Sequence, residues 1–266
     1  MPRAGPGRYA SGPMQVGLIG SGNMASALAR GWGDPILCTD VIFGRAEDLA
    51  AEVGGEAVVS NRELAQRADV VFLCHKPDQL AAIAPEVRGA KPGQPIVSIL
   101  GGVPLAALEE AYPDQPVFRL MPNVAVEVGR GVICVAHGDV EPGLAARVLT
   151  LLERVATVVT LDDRLIDAAT AAMGVGPAYT ALVVEAQVDA VVRMGIPAPV
   201  AAVLVTETVA GTIELLAARD NDTLAVRRAV TSPGGSTARG LAALDAGGLR
   251  SAFQDAADAV VHGGRR

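Results

Sequence analysis

"QVGLIGSGNMASAL", residues 15–28, decides the fold. The apolar, strand-like run QVGLI leads into Gly20, Gly22 and Ala25, a G-x-G-x-x-A pattern that opens onto helix-forming sequence. Glycines here permit a tight turn and close approach of a pyrophosphate, whose charge then sits against free N–H groups at the helix start. Taken alone the pattern also fits a merely structural turn. Its place after the first strand of a βαβ series makes it a dinucleotide fingerprint.

That series is visible downstream. Short runs rich in Val and Ile, "PILCTD", "EAVVS", "DVVFLC", "PIVSIL" and "PVFRLMP", alternate with helical patterns and predict a parallel sheet. "GVICVAHG" and "TVVTL" are two further candidate strands for the same sheet. From Asp162 onward the sequence reads as helices punctuated by Gly and Pro. The expected class is α/β: residues 1–13 a mobile tail, 14–161 a Rossmann dinucleotide-binding domain, and 162–266 a helical domain for substrate binding and dimerisation. Dimerisation is expected because "VAAVLVTETVAGTIELLAA", residues 200–218, is apolar on nearly every face, more than one helical layer buries.

The totals narrow the partner. Half of the 266 residues are apolar but only 3% are aromatic, so the core is filled by Ala, Val, Leu and Ile. A net charge of −7 argues against nucleic acid or an anionic membrane and for a small soluble ligand. Cys38, Cys74 and Cys134 are odd in number and form no C-x-x-C pair, which points to reduced cytoplasmic thiols and to no metal site. No apolar run is expected to reach the roughly 20 residues of a membrane helix, and the start has no signal-peptide centre.

Asp40 ends the second strand 20 positions after Gly20, where an acidic side chain holds the adenine ribose 2′-hydroxyl of NAD. Arg45 lies just beyond, positioned for the 2′-phosphate of NADP, and an Asp at a strand end is also a common turn or cap residue. The reading leans to NADH, with NADPH as the alternative. "CHKP", "LGGVP" and "MPNVA" follow the fourth to sixth strands at the edge where open parallel sheets bind ligands. His75 and Lys76 would therefore face the cofactor, unless they are only a hydrogen-bonded loop His and a solvated Lys.

Between Gly138 and Val261 there is no His, Lys or Cys. The helical half thus offers hydroxyls, Tyr179 and carboxylates, which suits a hydride acceptor that arrives already protonated, such as a cyclic iminium. "VTSPGGSTARGL", residues 230–241, supplies bare amides and the hydroxyls of Ser232, Ser236 and Thr237 at the start of a helix. The plainer reading of that stretch is a turn followed by a Ser or Thr helix cap.

With these motifs in place, the chain resembles the pyrroline-5-carboxylate reductases from about Met14 to Arg250. The likeness is carried by "GLIGSGNMASALARG", "SNRELAQRADVVFL" leading into "KP", "MPN", "GPAY", "MGIP" and "VTSPGGSTARGLAAL" with "GGLR". The resemblance implies reduction of 1-pyrroline-5-carboxylate to proline by NADH or NADPH, in a homodimer or larger homo-oligomer. It places Ser21, Asn23 and Met24 on the pyrophosphate loop beside Gly20 and Gly22, Asn61 on the adenosine side, and Lys76 with Pro77 on the nicotinamide side; Asn123, in "MPN", is a further cofactor-binding candidate. Ser232, Gly234, Gly235 and Ser236 would hold the substrate carboxylate, and Thr237 the ring nitrogen. Two departures stand out: Val124 and Ala125 replace a Thr-Pro pair, and Met173 and Val175 replace two serines, removing three hydroxyls. They leave open a larger or more apolar cyclic imine, and a non-catalytic dinucleotide-binding relative remains a third reading.

Overall fold

The computed structural model describes residues 12–263. The expected mobile tail therefore lies, for residues 1–11, outside the described residues. Two compact units divide between Gly174 and Val175.

The first unit is built on one sheet of eight strands in the order β3-β2-β1-β4-β5-β6-β7-β8. In chain order these are β1 (Val16–Ile19), β2 (Leu37–Thr39), β3 (Glu56–Ala57), β4 (Val70–Leu73), β5 (Ile96–Ser98), β6 (Val117–Pro122), β7 (Gly131–His137) and β8 (Ala156–Thr160). Helices α1 (Asn23–Trp32), α2 (Phe43–Val53), α3 (Asn61–Arg67), α4 (Leu80–Val87), α5 (Leu105–Ala111) and α6 (Pro142–Glu153) make the crossovers. Continuous apolar strands need cover on both faces, and the two-residue period of a strand splits them accordingly. Val70 and Phe72 of β4 enter one core with Leu28 and Trp32 of α1, while Val71 and Leu73 enter the other with Leu64 and Leu108. Trp32 packs edge-on against Phe72 with ring centroids 5.2 Å apart, and its indole N–H donates to the Leu151 carbonyl at 3.0 Å.

The strand series expected from the sequence is present, with one difference in direction. β7 runs antiparallel to β6, in register from Phe118 opposite His137 to Pro122 opposite Ile133. Only a short 3-10 turn, Val124–Val128, joins the two strands, too little chain for the crossover that parallel pairing requires.

The division between units falls later than the change in sequence character at 161/162. Helix α7 (Asp163–Ala169) belongs with the sheet because Arg119 of β6, buried at 3% side-chain exposure, pairs with Asp163 at 2.8 Å and Asp167 at 2.5 Å. Ile166 of the same helix is fully buried beside Cys134 and Ala136. A π-helical turn, Thr170–Gly174, closes the unit.

The second unit contains α8 (Gly176–Val192), α9 (Ala198–Ala217), α10 (Thr223–Ala229), α11 (Ser236–Ala246) and α12 (Leu249–His262), and no strand among its described residues. Its interior is thin. Among its described residues the buried apolar side chains are Ala201, Val205 and Val226, whereas Leu182, Val203, Leu204 and Ile213 stand exposed. One expectation is corrected here: α9, 20 residues at mean hydropathy 1.7, is long and apolar enough to cross a membrane, as is the helical stretch Asp163–Val192. Glu207, Glu214 and the Thr and Gly residues of α9 interrupt its apolar run, while the Val, Leu, Ile and Ala around them keep the mean high.

Candidate functional site: a cleft at the sheet's carboxyl edge

β1 and β4 are neighbours but their crossovers leave in opposite directions along the sheet order, the arrangement that opens a crevice beyond the strand ends. A cleft of about 1090 Å³ lies there, lined by Gly20 to Ser26, Asp40, Asn61 and the "CHKP" loop among others. The backbone explains its glycines. Gly20 has φ +99°, and a Cβ on it would lie 2.7 Å from the Cys74 carbonyl group, so the loops after β1 and β4 touch through bare backbone. Gly22 is extended, and a Cβ on it would meet nothing within 4 Å. Its bareness serves the open space rather than the fold.

Gly22 is also the N-cap of α1, and no side chain caps that helix or places an acid in its first turn. The first amides of α1 are thus left for an anion, with the partial positive charge of the helix behind them. The Ser21 hydroxyl is buried beside the Cys38 thiol, and His75 Nε2 is buried with no hydrogen-bond partner among the described residues. An orphaned polar atom in a cleft wall, a cradle of small residues and an uncapped helix start together fit a dinucleotide.

Asp40 accepts from the Ser21 N–H through one carboxylate oxygen, at 2.8 Å, and from the Ile42 N–H through the other, at 2.9 Å. It therefore shapes the turn as well as facing the cleft. Asn61 begins α3 and donates from its amide to Glu86 at 2.8 Å, while Ser60 caps the same helix by accepting from Glu63 N–H. Lys76 and Pro77 lead into a 3-10 turn in which the Lys76 N–H donates to the Gln79 side chain at 3.0 Å. Burial pushes the Cys74 thiol well above its ordinary pKa and the His75 imidazole below its own. Both are uncharged at neutral pH.

Asn123 does not line this cleft. Its amide donates to the Met173 carbonyl at 3.0 Å and its oxygen accepts from the Val132 N–H at 3.1 Å, so it ties the β6–β7 turn to the π-helical turn. The cleft wall also includes Val41 and Val59, both largely exposed, and Glu86, which sequence reasoning passed over. The valines had one signal, apolar residues directly beside Asp40 and Ser60 in polar loops; Glu86 had none.

In the second unit, Ser232 to Thr237 form a tight turn at the start of α11. Gly234 has φ +70°, the Gly235 N–H donates to the Ser232 carbonyl at 3.0 Å, and Arg239 donates to the Gly234 carbonyl at 2.6 Å. A Cβ on Gly235 would overlap the Ser232 hydroxyl. The N-cap is Gly235 and no side chain caps the helix, so the hydroxyls of Ser232, Ser236 and Thr237 are not spent as the expected Ser or Thr cap.

Residues 163–266 match the family described as pyrroline-5-carboxylate reductase dimerisation, and residues 15–102 match NADP oxidoreductase, coenzyme F420-dependent. The pyrroline-5-carboxylate reductase of Synechocystis sp. is 34% identical over 255 residues, covering 93% of this chain and 96% of that one. That of Pseudomonas aeruginosa is 34% identical over 257 residues, covering 92% and 94%. Among solved structures, the Streptococcus pyogenes 1-pyrroline-5-carboxylate reductase superposes with a TM-score of 0.86 at 29% identity, covering 94% of this chain and 97% of that one. The Plasmodium falciparum pyrroline carboxylate reductase, solved with NADP bound, gives 0.84 at 25% identity, covering 94% and 96%. With a cleft that fits a dinucleotide, a dimerisation domain and relatives of this identity across almost its whole length, the chain belongs to the pyrroline-5-carboxylate reductase family.

Proposed function

We propose that this chain reduces 1-pyrroline-5-carboxylate to proline, with NADH as its preferred hydride source. The observation that carries the reading is the uncapped start of α11: in the stretch that most specifically resembles the family, the hydroxyls of Ser232, Ser236 and Thr237 are not spent on capping the helix. Ser232, Gly234, Gly235 and Ser236 hold the substrate carboxylate through amides and hydroxyls at a helix N-terminus. Thr237 hydrogen-bonds the ring nitrogen.

The bound nicotinamide supplies a hydride to the ring carbon of the C=N bond. As the π electrons move onto nitrogen, a protonated imine becomes the neutral amine, and Thr237 relays the further proton from water that completes the ammonium form. Gly20, Ser21, Gly22, Asn23 and Met24 bind the pyrophosphate, Asp40 and Asn61 the adenosine half, and Lys76 with Pro77 the nicotinamide half. Asn123 supports cofactor binding through the backbone it holds at Met173 and Val132.

Asp40 favours NADH: it is fixed by two amides, retains lone pairs for a ribose 2′-hydroxyl, and its charge opposes a 2′-phosphate. Higher kcat/KM with NADPH overturns the preference and assigns the adenosine end to Arg45. The protein partner is a second copy of the chain, matching the dimerisation domain and the exposed apolar faces of α8 and α9, rather than a membrane, since Glu207 and Glu214 lie within α9. Cys38, Cys74 and Cys134 are all free, consistent with a cytoplasmic enzyme. Turnover of NADH with a panel of cyclic imines tests the whole reading. The five-membered carboxylate should give the highest kcat/KM; a larger imine would win if Val124, Met173 and Val175 reshape the site, and no turnover with any member would leave a non-catalytic relative.

A further inference from the structure

The "CHKP" loop carries a group that the reaction just described does not use. His75 Nδ1 lies 2.8 Å from the Lys76 carbonyl, an acceptor, so the ring proton sits on Nδ1 and Nε2 presents a lone pair. Nε2 is shielded from water and has no hydrogen-bond partner among the described residues. A buried acceptor without a donor costs free energy, and a group that ends in a ligand cleft recovers that cost when the ligand brings the donor.

The place of the loop says which part of the ligand that is. His75 follows β4, across the switch point from the β1–β2 side where Asp40, Val41 and Asn61 line the cleft. If those residues take the adenosine half, the loop after β4 meets the nicotinamide nucleoside. That half carries donors: the ribose hydroxyls and the carboxamide N–H groups. The backbone contact between Gly20 and Cys74 fixes the loop against the pyrophosphate turn, and Lys76, Pro77 and Asp78 beyond it are exposed. His75 is itself among the residues that line the cleft.

We propose that His75 is a positioning residue for the cofactor, its neutral Nε2 accepting a hydrogen bond from a hydroxyl or amide N–H of the nicotinamide nucleoside. The inference rests on the dinucleotide reading of the cleft, and the test separates the two. Dissociation constants for NADH, ADP-ribose and 5′-AMP are measured by calorimetry on the wild type, His75→Phe, which has no acceptor, and His75→Gln, whose side-chain oxygen reaches about as far as Nε2. His75→Phe should weaken NADH roughly tenfold, His75→Gln should restore most of the loss, and 5′-AMP should bind all three alike. Parallel loss of ADP-ribose affinity assigns the donor to the ribose and its retention assigns it to the carboxamide; both support the role. If His75→Phe does not fold, His75→Ala replaces it with the same expectation. Unchanged NADH affinity in the acceptor-free variant overturns the proposal, as does an equal loss for 5′-AMP. A wild type that binds neither NADH nor NADPH overturns the dinucleotide reading itself, and this role with it.

Discussion

The N–H of Ser21 donates to the Asp40 carboxylate at 2.8 Å, tying the glycine loop after β1 to the end of β2. The second carboxylate oxygen holds the Ile42 N–H at 2.9 Å, so one side chain fixes two loops of the cleft. Asp40→Ala removes both acceptors and leaves the amide of a buried residue unpartnered, a loss of about 1–3 kcal/mol in stability by urea unfolding. Asp40→Asn keeps an acceptor oxygen and removes the charge. It should stay nearer wild-type stability while the ratio of kcat/KM for NADPH over NADH rises; an unchanged ratio would show that the carboxylate does not face the 2′-position.

Gly20 and Gly22 separate folding from binding within one motif. Gly20 has φ +99° and no room for a Cβ against the Cys74 backbone, so Gly20→Ala should lower stability by at least about 1 kcal/mol before any ligand is considered. Gly22 has room and an ordinary extended backbone. Gly22→Val should melt close to the wild type yet bind NADH at least about tenfold more weakly, because its side chain fills the space of the pyrophosphate. Calorimetry that finds full cofactor affinity in Gly22→Val removes this loop from the site.

What was legible in the sequence follows from which constraints are local. A glycine that must adopt positive φ or admit a phosphate leaves its mark at one position, so the loop from Gly20 to Ala25 could be read directly. The direction of β7 could not, because "GVICVAHG" has the same composition whichever way it runs and the deciding fact is the short turn before it. The assignment of α7 to the first unit depends on Arg119, an arginine inside an apolar strand, finding Asp163 and Asp167 more than 40 residues later. Asn123 is a cofactor candidate by resemblance, and that its amide donates to the Met173 carbonyl while its oxygen accepts from the Val132 N–H depends on chain folding around it. His75 stood out as a residue type, whereas the free lone pair on Nε2 depends on where the Lys76 carbonyl points.

Burial holds His75 below its ordinary pKa of 6.5, against the opposing pull of the Lys76 carbonyl and the Asp78 charge. The unfolded chain therefore takes up this proton at a higher pH than the native one. The stability linked to the neutral ring is complete above about pH 6.5 and is lost as the pH falls from there through the lower native pKa. Melting temperatures of wild type and His75→Gln, compared between about pH 7.5 and 5.5, should show the larger fall for the wild type. Parallel slopes would mean that the ring titrates as it does in the unfolded chain.

The start of α11 makes different demands on the hydroxyls of Thr237 and Ser232. Thr237 lies in the first turn of the helix and Gly235, not a side chain, occupies the cap, so neither Thr237 nor Ser232 is needed to close the helix end. Thr237→Ala should therefore melt like the wild type while kcat falls about a hundredfold, the lower end of general acid catalysis, because a hydroxyl orients the ring nitrogen but is too weak an acid to do more. Ser232→Ala should act on KM more than on kcat, since the substrate carboxylate is held alike before and during hydride transfer. The substitution also empties the space above Gly235 without straining it, which keeps the turn intact as a control. If Thr237→Ala retains full turnover while His75→Ala abolishes it, the proton is delivered from the cleft loop after β4 and the role given to Thr237 is wrong.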